Sequence, residues 1–108
     1  MVYLVEERFH RAMINIYETA KEECDYNATY FIQMVAEHGG VETARRLLRA
    51  KEPQYGFTAL WECGRLDLTV EAHVLKPEFA ELFSEAERCV ARQRLEDYGY
   101  EGSEFSNE

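Results

Sequence analysis

Residues 56–75 read GFTALWECGRLDLTVEAHVL, a stretch that holds the only tryptophan, two of the six glycines and two separate helix-start signals. Thr58 can accept a hydrogen bond from an unpaired amide of a first helical turn, with Phe57 before it as the apolar residue that fixes the entry angle. A short helix is therefore expected over 59–63. Gly64 stands where helices commonly stop in the left-handed conformation, and Asp67 or Thr69 can cap the next helix, over 70–75. Leu60, Trp61, Leu66, Leu68, Val70 and Val74 then make a hydrophobic hub, with Arg65 paired to a nearby carboxylate. Two short helices joined at a glycine set the fold class, an all-α domain.

The flanks agree. Upstream, Val5, Phe9, Ala12, Met13, Ile16, Tyr17, Ala20 and Cys24 recur at the three-and-four spacing of an amphipathic helix, expected over 5–24. Asn27 is read as the cap of a second helix over 28–38 that buries Tyr30 or Phe31 with Met34 and Val35. Gly39 ends it, and a third helix follows with Val41, Ala44, Leu47 and Leu48 on one side and Arg45, Arg46 and Arg49 on the other. Downstream, Pro77 suits the first position of a short helix over 77–83 that presents Phe79, Leu82 and Phe83. Ser84-Glu85-Ala86-Glu87 is a capping box opening a last helix to about residue 98, where Gly99 stops it and Tyr100 folds back. The expected architecture is a compact orthogonal bundle of about six short-to-medium helices, one domain over 1–100, with an acidic, frayed tail over 101–108.

At 108 residues, one core can bury about two thirds of the unfolded surface without a metal or a staple. Hydrophobic residues at 46% against 31% charged are a globular profile and exclude a disordered chain. Twelve Lys and Arg against 21 Asp and Glu leave a formal charge of −9, which repels phosphate backbones. Five of those acids lie in the last thirteen residues, so the body is only mildly acidic. Cys24, Cys63 and Cys89 are odd in number and far apart, and they read as reduced, buried thiols of a cytoplasmic protein. No stretch has the pattern of a signal peptide or the length to span a bilayer.

The blocks GGVETARRLL, GFTALWECGRLDLTVE, PEFAELFSEAE and the closing DYGY resemble those of a widespread family of small, uncharacterised bacterial proteins in which the same blocks recur in this order. The resemblance runs from the first helix to Tyr100 and is most specific over 57–71. It implies a bacterial or phage-borne helical domain and carries no activity or site residue.

Catalytic and metal patterns are thin. Glu7-Arg8-Phe9-His10 has the Glu-x-x-His spacing of di-iron bundles, which need that motif twice and two further glutamates, whereas here it occurs once. Cys63, before Gly64 and Arg65, is the thiol most open to activation by a neighbouring cation, although no signature pairs it with His10, His38 or His73. No metal, cofactor or catalytic residue is expected.

Binding patterns are richer. Arg45, Arg46, Arg49 and Lys51 place four of the twelve bases within seven residues, a candidate nucleic-acid contact. A helix-turn-helix alignment through Ala36, Gly40 and Val41 fails, because Arg46 and Arg49 fall at positions that should be apolar. One Trp, seven Tyr and six Phe exceed what a minimal core needs. Trp61, Tyr55, Tyr98 and Tyr100 are the candidate partner-binding residues, with Tyr3 and Phe105 also outside clear core phases. The expected function is non-enzymatic: an adaptor or accessory domain that binds a protein or itself. A nucleic-acid-associated regulator using the 45–51 face is the alternative, and an acidic inhibitor of a basic partner or nuclease comes third.

Overall fold

A computed structural model of the chain describes residues 2–53 and 55–100, with the backbone alone at 2, 3 and 55. The described residues form six α-helices and two 3₁₀ segments: α1 (Val2–Glu23), α2 (Thr29–His38), α3 (Gly40–Arg49), α4 (Tyr55–Glu62), a 3₁₀ turn (Leu66–Leu68), α5 (Val70–Val74), a 3₁₀ segment (Pro77–Leu82) and α6 (Glu85–Asp97). No strand occurs among them, so the all-α reading holds. Tyr3, Tyr55 and Phe105, together with the expected frayed tail over 101–108, lie outside the described side chains or residues.

The stretch 56–75 is the middle of the molecule. All five residues of α5 are buried, and Leu60, Leu66, Leu68 and Leu75 are buried beside them. Thr69 caps α5 as expected, accepting from the Ala72 amide at 3.1 Å and donating its hydroxyl to the Leu66 carbonyl at 2.7 Å. Gly64 adopts φ 78°, the left-handed turn that only glycine makes without strain. Arg65 holds Asp67 through both carboxylate oxygens, at 3.0 and 3.1 Å, and also contacts Glu23. Its pKa is raised by those hydrogen bonds.

Around that centre, α1 lays Phe9, Met13, Ile16 and Ala20 into the core at helical spacing. Phe9 meets Phe79 and Phe83 edge-on at centroid distances of 5.0 and 5.1 Å. The capping box of α6 is complete: the Glu87 amide donates to Ser84 Oγ at 3.1 Å, and the Ser84 amide donates to Glu87 Oε1 at 2.8 Å. Pro77 opens its 3₁₀ segment at the first position. Tyr100 packs back against the core.

Four expectations are corrected. The fourth helix begins at Tyr55, so Thr58 lies inside it and is not its cap. Asn27 does not cap α2, whose N-cap is Ala28 with no side-chain bond. Trp61 does not belong to the buried hub, being 44% exposed, and Tyr30 is 86% exposed, leaving Phe31 and Met34 to line that side of α2. The cysteines are not three buried thiols: Cys24 and Cys63 form a disulfide, with Cα atoms 5.8 Å apart, and Cys89 is free and exposed. The reason is tertiary. Ala20, Leu60 and Leu68 cluster together, so the end of α1 meets the end of α4 across 39 positions of sequence.

Gly40 has a specific packing duty. A Cβ at this position would lie 2.7 Å from the Cα of His10, so α1 and α3 approach too closely for any side chain. Its amide donates to His10 Nδ1 at 3.0 Å, which gives His10 a structural task at the start of α3. A Gly40→Ala variant is expected to lose about 2 kcal/mol, the usual cost of overpacking, read from its urea midpoint.

Candidate functional site

The feature that stands out from this packing is an apolar hollow of about 390 Å³. Ile16 and Ala20 of α1 form one wall, Phe31 and Met34 of α2 another, and Phe57 and Leu60 of α4 a third. Tyr26 and Leu47 close the gaps between them, and Tyr30, almost wholly exposed, stands at the mouth. Apolar walls with few polar groups are the usual make-up of a binding site of this size.

Among the described residues lining this hollow, one is charged. Glu71 of α5 lines it while remaining 4% exposed, and its Oε2 accepts from Arg94 Nη1 at 2.9 Å. Burial pushes the Glu71 carboxyl above the ordinary glutamate range, against the opposing pull of the Arg94 hydrogen bond. Arg94 also donates to the carbonyls of Leu47 at 3.0 Å, Leu48 at 3.5 Å and Ala50. These carbonyls lie at or just past the C-terminus of α3, where a cation suits the helix dipole. The pair thus bolts α3, α5 and α6 together beneath the hollow.

Beside it runs an aromatic ridge. Phe57 lines the hollow and meets Tyr98 edge-on at 4.9 Å, and Tyr98 in turn meets Trp61 at 5.2 Å. Phe57 and Trp61 are four residues apart on α4, so the exposed indole stands one turn along from the hollow's wall. Of the sequence-derived candidates, Trp61 and Tyr98 are therefore together. Tyr100 is half-buried against the core, and Tyr55 falls outside the described side chains.

The basic face is largely committed. Arg45 donates to the Leu82 carbonyl at 2.7 Å, pairs with Glu87 at 3.5 Å and lies 5.9 Å from the Phe83 ring centroid. Arg46 and Arg49 share Glu42, at 3.1 and 3.6 Å. Lys51 is exposed beside a shallow hollow whose lining mixes Arg49 and Arg94 with Glu52 and Asp97.

The remaining chemical candidates have structural partners. Cys63 is in the disulfide, His10 serves Gly40, and Glu7 lies 3.6 Å from Arg11. His73 is buried, and its Nδ1–H donates to the Thr69 carbonyl at 2.8 Å. No group of three or more potential metal ligands gathers among the described residues.

Protein-family models, curated proteins and solved structures yield no match to this chain.

Burial holds the His73 imidazole below its ordinary value near 6.5, with the Lys76 charge acting the same way and Asp67 and Glu78 opposing. Below about pH 6.5 the unfolded chain therefore binds more protons than the folded one. Stability is expected to be complete above that value and to fall as pH drops from it toward the folded pKa. Urea midpoints measured at pH 5, 6 and 7 check this, with His73→Gln showing a flatter profile.

Sequence reasoning named the ridge residues Trp61 and Tyr98 but missed Tyr30, Glu71 and Arg94. For Glu71 and Arg94 a signal existed. Both have apolar residues at helical spacing, Glu71 three and four residues before Val74 and Leu75 and Arg94 three and four residues from Ala91 and Tyr98, positions where a charge requires a buried partner.

Proposed function

We propose that the chain is a protein-interaction domain, an adaptor or accessory module that acts by binding rather than catalysis. The observation that carries this reading is the apolar hollow open beside Tyr30, a ready receptacle for an apolar side chain of a partner. The indole of Trp61, braced on Tyr98, supports it, since Trp and Tyr are the residue types that anchor interfaces. So does the engagement of His10, His73 and Cys63 in structural contacts. The nucleic-acid alternative loses support, because Arg45, Arg46 and Arg49 already have carboxylate or carbonyl partners.

Membership of the small bacterial family whose blocks this sequence resembles is part of the same reading, as is a cytoplasmic location. In a reducing cytoplasm the Cys24–Cys63 pair would be held as thiols. Among the described residues no helix is long and apolar enough to cross a membrane.

The test is a benzophenone side chain placed at position 30, irradiated in the source cell. The expected outcome is a discrete protein adduct, or a doubled mass of the 12.7 kDa chain, that disappears when Met34→Trp fills the hollow. No adduct, or one indifferent to the filling, rejects the reading.

A further inference from the structure

We infer that the side chain this hollow receives is a tryptophan or tyrosine, flanked by basic residues on the partner, whose N–H or O–H donates to the Glu71 carboxylate. The inference rests on the interaction reading above and names what the site selects. Size comes first. A cavity of about 150 Å³ already holds a benzene ring, so about 390 Å³ has room for an indole or a phenol with its stem.

Chemistry then separates the aromatic guests. Besides Glu71, the described lining residues include the hydroxyl-bearing Thr69, Tyr26 and Tyr30, and Thr69 already donates to the Leu66 carbonyl and accepts from the Ala72 amide. Glu71 is not saturated in the same way. A carboxylate offers about four acceptor sites, of which Arg94 Nη1 takes one at Oε2 and Glu71's own backbone amide engages another. A phenylalanine or leucine entering the hollow would cover that carboxylate and return no hydrogen bond. An indole N–H or a phenol O–H would return a charge-assisted hydrogen bond.

The lip supplies the flanking preference. The two chain segments at residues 21–26 and 61–67, tied to each other by the Cys24–Cys63 disulfide, carry Glu22, Glu23, Asp25, Glu62 and Asp67 against Lys21 and Arg65. Ala20, Tyr26 and Leu60, at or next to the ends of those segments, line the hollow. A guest arriving there meets net negative charge, in keeping with the −9 of the whole chain, and basic neighbours on its own strand complement it.

The experiment uses the full chain with its disulfide intact, labelled with ¹⁵N, titrated with four capped pentapeptides that differ only at the centre: two lysines, then Trp, Tyr, Phe or Ala, then two lysines. The Trp and Tyr peptides are expected to move the amides of Ala20, Phe31, Leu60 and Val70, and to bind at least about tenfold more tightly than the Phe peptide, the ratio one hydrogen bond to a charged group supports. Glu71→Gln should shrink that ratio to a few-fold, and Met34→Trp should abolish the shifts. If Phe binds as tightly as Trp, the role of Glu71 is overturned while the hollow remains a docking site. If none of the peptides moves those amides, or the Ala peptide moves them equally, both readings fall. The Trp-against-Phe comparison needs no variant, so it decides the matter even where Glu71→Gln fails to fold.

Discussion

Arg94→Met is expected to lower the unfolding free energy by about 3–5 kcal/mol, the cost of breaking a buried ion pair from one side. The side chain is 6% exposed and serves four acceptors at once: Glu71 and the carbonyls of Leu47, Leu48 and Ala50. Its loss leaves a buried carboxylate without its cation and the end of α3 without its cap. Because Glu71 is already raised by burial, losing the arginine raises it further and favours the protonated carboxyl in the folded variant. A group whose folded pKa lies above its unfolded one stabilises most below the unfolded value, near 4.3 for glutamate. The deficit of Arg94→Met should therefore be smaller at pH 5 than at pH 8. Guanidinium titrations at the two pH values measure it. Adding Glu71→Met should recover part of the loss, since an apolar pair of similar volume replaces an ion pair with little penalty. Equal deficits at both pH values would show that Glu71 stays ionised without its partner.

Removing the disulfide, by reduction or by Cys63→Ser, is expected to cost about 4 kcal/mol on the chain-entropy account of a loop of roughly forty residues. The sequence separation is 39. Against the 5–15 kcal/mol that holds a typical domain together, this is a large share. The denaturant slope should rise, because the uncrosslinked chain exposes more surface on unfolding. The consequence is local as well as global. The disulfide joins the end of α1 to the end of α4, and Ala20 and Leu60 on those two helices pack in one cluster and both line the hollow. Amide exchange at both should accelerate on reduction more than at Phe9 or Leu95. Arg65, holding Glu23 and Asp67 across the same junction, keeps the two ends near each other when the sulfurs part, so the fold is expected to survive the loss.

The elements were legible where the decisive chemistry is local. A serine three residues before a glutamate closed as a capping box at Ser84, Thr69 capped α5, Gly64 and Gly99 took positive φ, and the spacing of Phe9, Met13, Ile16 and Ala20 set the buried stripe of α1. Each of these is settled within about four residues. Local reading went wrong where a residue could serve either of two neighbouring roles. Thr58 and Asn27 resemble caps, yet α4 starts three residues earlier and the chain leaves α1 through Asp25 at φ 53°.

By itself, then, the sequence determined an all-α domain centred on residues 56–75, with most of the helix starts and stops that bound it. Periodicity and capping depend on neighbours along the chain. Only the tertiary structure decided that Cys24 meets Cys63, that Arg94 crosses to Glu71 and the end of α3, that Trp61 and Tyr30 face solvent, and that three helices part to leave a hollow. These relations join positions tens of residues apart. Their geometry follows from how the helices cross, which is set by the summed packing of the core and not by any single stretch of the chain.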